Sequence, residues 1–153
     1  MDLMKEMVLE DLLRINKECS RALQEMMEHE PMLSSFFQKL VDLERECLLQ
    51  LRQQMVRSHG DPAAKVERKG EIYEAWTRAG NTKPARNKEA CSICEKKLND
   101  LIRAYNEAIQ KGNDLSEQIV HMLQNQIERV KTGFQLLLRR SSELSQARKS
   151  MVA

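Results

Sequence analysis

Apolar and small residues recur at alternating steps of four and three along this chain, and that spacing restricts it to packed helices. The stretch 3–29 carries Val8, Leu12, Ile15, Cys19, Ala22 and Met26 in this register. The stretch 32–57 carries Phe37, Leu40, Glu44, Cys47 and Leu51, with Phe36, Leu43 and Leu48 widening the stripe. Glu44 is a carboxylate at an otherwise apolar position. A third stretch, 85–111, reads Cys91, Cys94, Leu98, Leu101, Tyr105, Ala108. A fourth, 114–146, reads Leu115, Ile119, Leu123, Ile127, Val130, Phe134, Leu137, Ser141, Leu144, with Asp114 placed to cap its start. Residues 147–153 are expected to form a frayed tail.

Glycine and proline punctuate these stretches. Pro31, "SHGDP" at 58–62, "GNTKP" at 80–84 and "KGND" at 111–114 mark the breaks. Between the second and third long helices a short helix is predicted over 63–79, with Ile72, Tyr73, Trp76 and Ala79 on one side. Trp76, the single tryptophan, is expected to cap a bundle end as a core aromatic. Four amphipathic helices with this spacing make an all-α, four-helix up-down bundle in one domain over 1–153, with a short extra helix in the long connection between helices 2 and 3. The tight break at Pro31 makes helices 1 and 2 antiparallel. The connection from 58 to 84 is long enough to cross the bundle and let helix 3 run parallel to helix 2, and the sequence leaves that direction open. "FQLLLRR" at 134–140 sets Leu136 and Leu138 to either side of the last seam, which points to a second packing surface and to self-association.

Composition narrows the function classes. Basic residues exceed acidic ones by two and aromatics are 4%, so neither a basic footprint nor a set of base-stacking platforms is present, and no nucleic-acid partner is expected. The acids Asp2, Glu6, Glu10 and Asp11 in the first thirteen residues are not those of a secretory leader, and no apolar run approaches the ~20 residues of a membrane span. A cytoplasmic protein with reduced thiols and no membrane contact is the expectation. There is no glycine-rich phosphate loop, no Gly-x-Ser-x-Gly and no cysteine paired with a well-placed histidine, so no enzyme class is indicated.

The segments "VLEDLLRINKECSRAL", "LRQQMVRSHGDP", "GEIYEAWTRAGN" and "CEKKLNDLIRAYNEAI" resemble a bacterial family of ferritin-like four-helix bundles, a domain of unknown function, from about residue 8 to about residue 140. The resemblance implies an up-down bundle with a long crossover and supplies no activity. A ferritin-type di-iron centre needs a Glu from each of two helices and a Glu-x-x-His from each of the other two. No Glu-x-x-His occurs in this chain, and His29, His59 and His121 fall near helix ends or in turns. Glu95 matches a family glutamate but has Leu98 one turn on.

The four cysteines, Cys19, Cys47, Cys91 and Cys94, all fall on seams. With helices 2 and 3 parallel they would lie roughly 15, 23, 10 and 15 Å from the Pro31 end, so three could share a layer. Buried cysteine packs as a small hydrophobe, and the Cys91–Cys94 spacing is the seam's own three-residue step. Convergent thiolates, with Glu44 or Glu95, would instead form a zinc or iron site or a redox sensor. The expected reading is a non-enzymatic bundle acting through protein contacts, with no catalytic residue and no cofactor. The alternatives are a metal-binding or redox-sensing bundle that uses those cysteines, and a chaperone-like binder of an amphipathic helix.

Overall fold

The computed structural model describes residues 3–59, 70–81, 90–111 and 115–152. Helix α1 spans Leu3–His29 and, after a 3-10 turn at Pro31–Leu33, α2 spans Ser34–His59. The short α3 covers Glu71–Arg78, α4 Ala90–Lys111 and α5 Glu117–Val152. Each long helix buries its three-four seam: Leu12, Ile15 and Cys19 on α1, Phe37, Leu40, Cys47 and Leu51 on α2, Leu98, Leu101 and Tyr105 on α4, and Leu123, Val130, Phe134 and Leu137 on α5. Burial of such side chains, each contributing about 1.5–3 kcal/mol, supplies the main driving force for the assembly.

Helix α1 packs on α2, α2 on α5, α5 on α4 and α4 on α1, with α1/α5 and α2/α4 on the diagonals. Paired residues give the directions. Asn16 bonds Tyr105 while Met26 meets Cys94, so α1 and α4 are antiparallel. Gln50 bonds Gln126 and Glu46 pairs with Arg129, so α2 and α5 are antiparallel as well. With α1 and α2 joined by a tight turn, α4 therefore runs parallel to α2, and the end of α2 and the start of α4 lie at opposite ends of the bundle. This resolves the direction that the sequence leaves open.

Several boundaries differ from expectation. Helix α5 runs on to Val152, so residues 147–152 are helical where a frayed tail is expected, because "SSELSQARKSMV" holds no proline or glycine to stop it. Asp114, the expected cap, lies outside the described residues. At the start of α5 the Ser116 Oγ accepts from the Ile119 N–H at 3.3 Å. Residues 63–69 and 85–89 of the predicted helices also lie outside the described residues.

Helix α3 lies on the flank of the bundle, over α1 and α4. Trp76 is core, as expected, but it packs there at mid-height beside Glu18 instead of closing an end. On the opposite side Gly133 brings α5 close to α2. A Cβ at that position would stand 2.7 Å from Leu40 Cδ2, so any side chain there would require the Leu40 end to move.

Candidate functional site

Three places in the molecule carry polar or exposed groups that packing alone does not explain. The first is a layer at mid-bundle. Asn16 Nδ2 donates to the Leu12 carbonyl (2.8 Å) and to Tyr105 Oη (3.0 Å), and the Tyr105 hydroxyl donates to Gln126 Oε1 (2.7 Å). Gln126 Nε2 then donates to Gln50 Oε1 at 2.8 Å and to the Cys47 carbonyl at 3.4 Å. The chain of bonds crosses α1, α4, α5 and α2 in one donor direction, so all four helices are tied at one height.

Glu44 lies in the same layer, fully buried, and no donor reaches either carboxyl oxygen or Asn16 Oδ1. Burial pushes the Glu44 pKa up to about 8, a rise that the neighbouring Cys19 thiol opposes. The carboxyl is therefore predominantly protonated at neutral pH. Burial, reinforced by Glu44, also raises the Cys19 thiol and lifts Cys47 to about 12. Thiols held protonated in this way are poor nucleophiles and poor redox sensors.

Sequence candidates thus part company. Cys19, Glu44 and Cys47 come together. Cys94 sits further towards the Pro31 end, its thiol 3.9 Å from Met26 Sδ and still near enough to Cys19 to help raise that thiol's pKa. Glu95 is exposed on α4 and does not face the interior, because it lies one position off the buried Cys94–Leu98 seam. The Cys91 side chain lies outside the described residues. Among the described residues no three His, Cys, Asp or Glu side chains converge as a metal-holding group, and the carboxylate and histidine set of a di-iron centre is not assembled.

Asn16 and Gln126 were not legible as site residues. Gln126 occupies the α5 seam between Leu123 and Val130, and Ile127, assigned there from the sequence, is only half-buried. The one available signal was that Ile119, Leu123, Gln126, Val130 keeps the three-four step better than the same run through Ile127.

The second place is the clasp of α3. This helix has no side-chain cap of its own, and the Asp11 carboxylate of α1 accepts from the Gly70 N–H at 2.9 Å and from the Tyr73 N–H at 3.2 Å. A Cβ on Gly70 would lie 2.4 Å from Asp11 Oδ2, so this capping arrangement requires glycine. One α3 turn on, Glu18 accepts from the Tyr73 hydroxyl and from Trp76 Nε1 (2.8 Å). Lys97 Nζ stands 5.6 Å above the Trp76 ring, and Asn81 bonds both the Trp76 carbonyl and Asp100.

The third place is the α2–α5 face. Leu40, Leu43, Gly133 and Leu136 floor an open groove rimmed by Lys39, Asp42, Glu46, Glu128 and Arg129. Among the described side chains four large apolar ones are strongly exposed: Met32 (63%), Leu49 (57%), Leu136 (49%) and Met151 (88%). All four belong to the 3-10 turn, α2 or α5. The groove between α1 and α4 is covered by α3, whereas no described element covers the one between α2 and α5.

Compared with protein-family models, curated proteins and solved structures, the chain matches none of them. The protein is an all-α, multi-helix bundle, and nothing in those comparisons ties it to ferritin-like proteins specifically. Among the described residues no helix is long and apolar enough to cross a membrane.

Proposed function

We propose that this protein is a non-enzymatic, cytoplasmic helix bundle of ferritin-like topology that holds no resident cofactor and works through protein contacts made by its α2–α5 face. The observation that carries the reading is Leu136, half-exposed in the open apolar groove between α2 and α5, with further exposed apolar side chains, Leu49 and Met151, on the same two helices. A bundle whose interior thiols and carboxyl are sealed offers a partner its helix faces, and exposed apolar groups rimmed by charge are where such contacts gain most. The crossover that makes α4 parallel to α2 supports the ferritin-like topology.

A photo-crosslinking residue at Leu136 of the full chain, compared with one at the exposed Asn106 on α4, tests this. Protein adducts at Leu136 and not at Asn106 are expected. Equal yields, or a turnover that depends on a bound redox metal, would overturn the reading. A second reading, a metal-binding bundle, is favoured by the three partnerless oxygens of Glu44 and Asn16. It requires about one equivalent of zinc or iron by elemental analysis, lost on Glu44→Gln.

A further inference from the structure

We propose that the partner of the α2–α5 face is a second copy of this chain, docked antiparallel α5 against α5 about a two-fold axis near the middle of that helix. The inference rests on the preceding reading that this face makes the protein's contacts.

Three features select a copy of the chain over other occupants. The first is charge. Asp42, Glu46 and Glu128 on the face are matched by Lys39, Arg129 and the neighbouring Arg139 and Arg140. A surface with both signs interleaved does not complement a polyanion or a membrane of one sign, but it complements itself when rotated by 180°.

The second is the position of Leu136. Helix α5 runs from Glu117 to Val152, so its midpoint falls between residues 134 and 135, within two residues of the one strongly exposed leucine on it. An axis there overlaps the two α5 helices along their whole length and brings Leu136 against the partner's Leu136 and the space above Gly133. Glu128 and Arg140 lie about six residues to either side of the axis, so Glu128 comes beside the partner's Arg140, whose own Glu143 contact is an exposed one. Arg129 is already paired with Glu46, which removes the like-charge conflict with the partner's Arg139.

The third is length. Helix α5, at ~54 Å, outruns α2, at ~39 Å, and its last turn carries the exposed Met151. In the antiparallel pair that overhang lies along the first turns of the partner's α5. Leu49, on the stripe 39–42–46–49 of α2, extends the same face towards the other end.

The test is the solution mass of the untagged full chain across a concentration series by light scattering, for the native protein, Leu136→Glu, Leu49→Glu and the control Asn106→Glu. A mass of twice 17.8 kDa is expected for the native chain and the control. Leu136→Glu should weaken dimerisation at least about 100-fold and Leu49→Glu about 10-fold, with unchanged helical circular dichroism. A native chain that stays monomeric to about 1 mM, or a dimer indifferent to both leucine changes, would overturn the proposal. If the native chain is monomeric while the Leu136 crosslinker still captures another protein, the second copy is excluded and the reading of a contact face stands. If neither dimer nor adduct forms, both fall.

Discussion

Asp11 and Glu44 are both carboxyl groups shut away from water, one between α1 and α3 and the other at the centre of the four-helix interior. Burial raises the pKa of each. At Asp11 the rise is opposed by the Gly70 and Tyr73 N–H groups and by Arg14, so the charged form has partners and serves as the cap of α3. At Glu44 only the Cys19 thiol opposes the rise, no backbone N–H or cation does, and the carboxyl is driven up to about 8. Desolvation is thus common to both acids, and the donors supplied by neighbouring elements decide whether the group is an anion with a structural task or a neutral acid tolerated in the core.

The sharpest way to break this comparison is to vary pH. Glu44 titrates at about 8 when folded against an ordinary value of 4.5, so the folded state holds its proton more tightly. The stability associated with that proton is fully present below pH 4.5, declines as pH rises and is gone above pH 8. The total amounts to about 5 kcal/mol. Denaturant unfolding at pH 5 and pH 8.5 should show this loss, and Glu44→Gln should remove most of the slope. A wild-type stability that is flat, or that rises with pH, would mean that Glu44 is charged and has found partners.

Asp11→Ala should destabilise by about 3 kcal/mol, because two buried N–H groups lose their acceptor and α3 loses its cap. Trp76 reports this directly. As the only tryptophan it should shift its emission to the red when α3 leaves the flank, and Asp11→Ala with an unshifted spectrum would show that Glu18 alone holds the helix. Tyr105→Phe leaves Gln126 Oε1 without its donor and should cost about 2 kcal/mol, read as a lower unfolding midpoint at constant helical signal. Lys111→Ala, which removes an exposed pair with Glu71, should leave the midpoint unchanged within error.

The two regions also differ in how far the sequence disclosed them. Glu44 was legible, since a carboxylate inside the run Phe37, Leu40, Cys47, Leu51 breaks an apolar period. Asp11 and Glu18 were not, since acids on an exposed-looking stripe of α1 read as solvated until α3 is laid across them. Gln126 escaped for a related reason, because a hydrophobic neighbour, Ile127, competes for the seam and helical spacing tolerates either. Glu95 misled in the opposite sense, as one position separates it from a buried register.

What the sequence determined by itself is the set of helices and most of the side chains they bury, because the three-four period and the punctuation by proline and glycine act over a few residues at a time. The direction of α4, the seating of α3 on the α1–α4 flank, the polar chain through Asn16, Tyr105 and Gln126, and the bareness of the α2–α5 groove were decided only in the tertiary structure. Each depends on which helix faces come together over long chain separations, as Asn16 does with Tyr105. No local pattern encodes those separations, and the energy that selects among them comes from burial and hydrogen bonding shared by several elements at once.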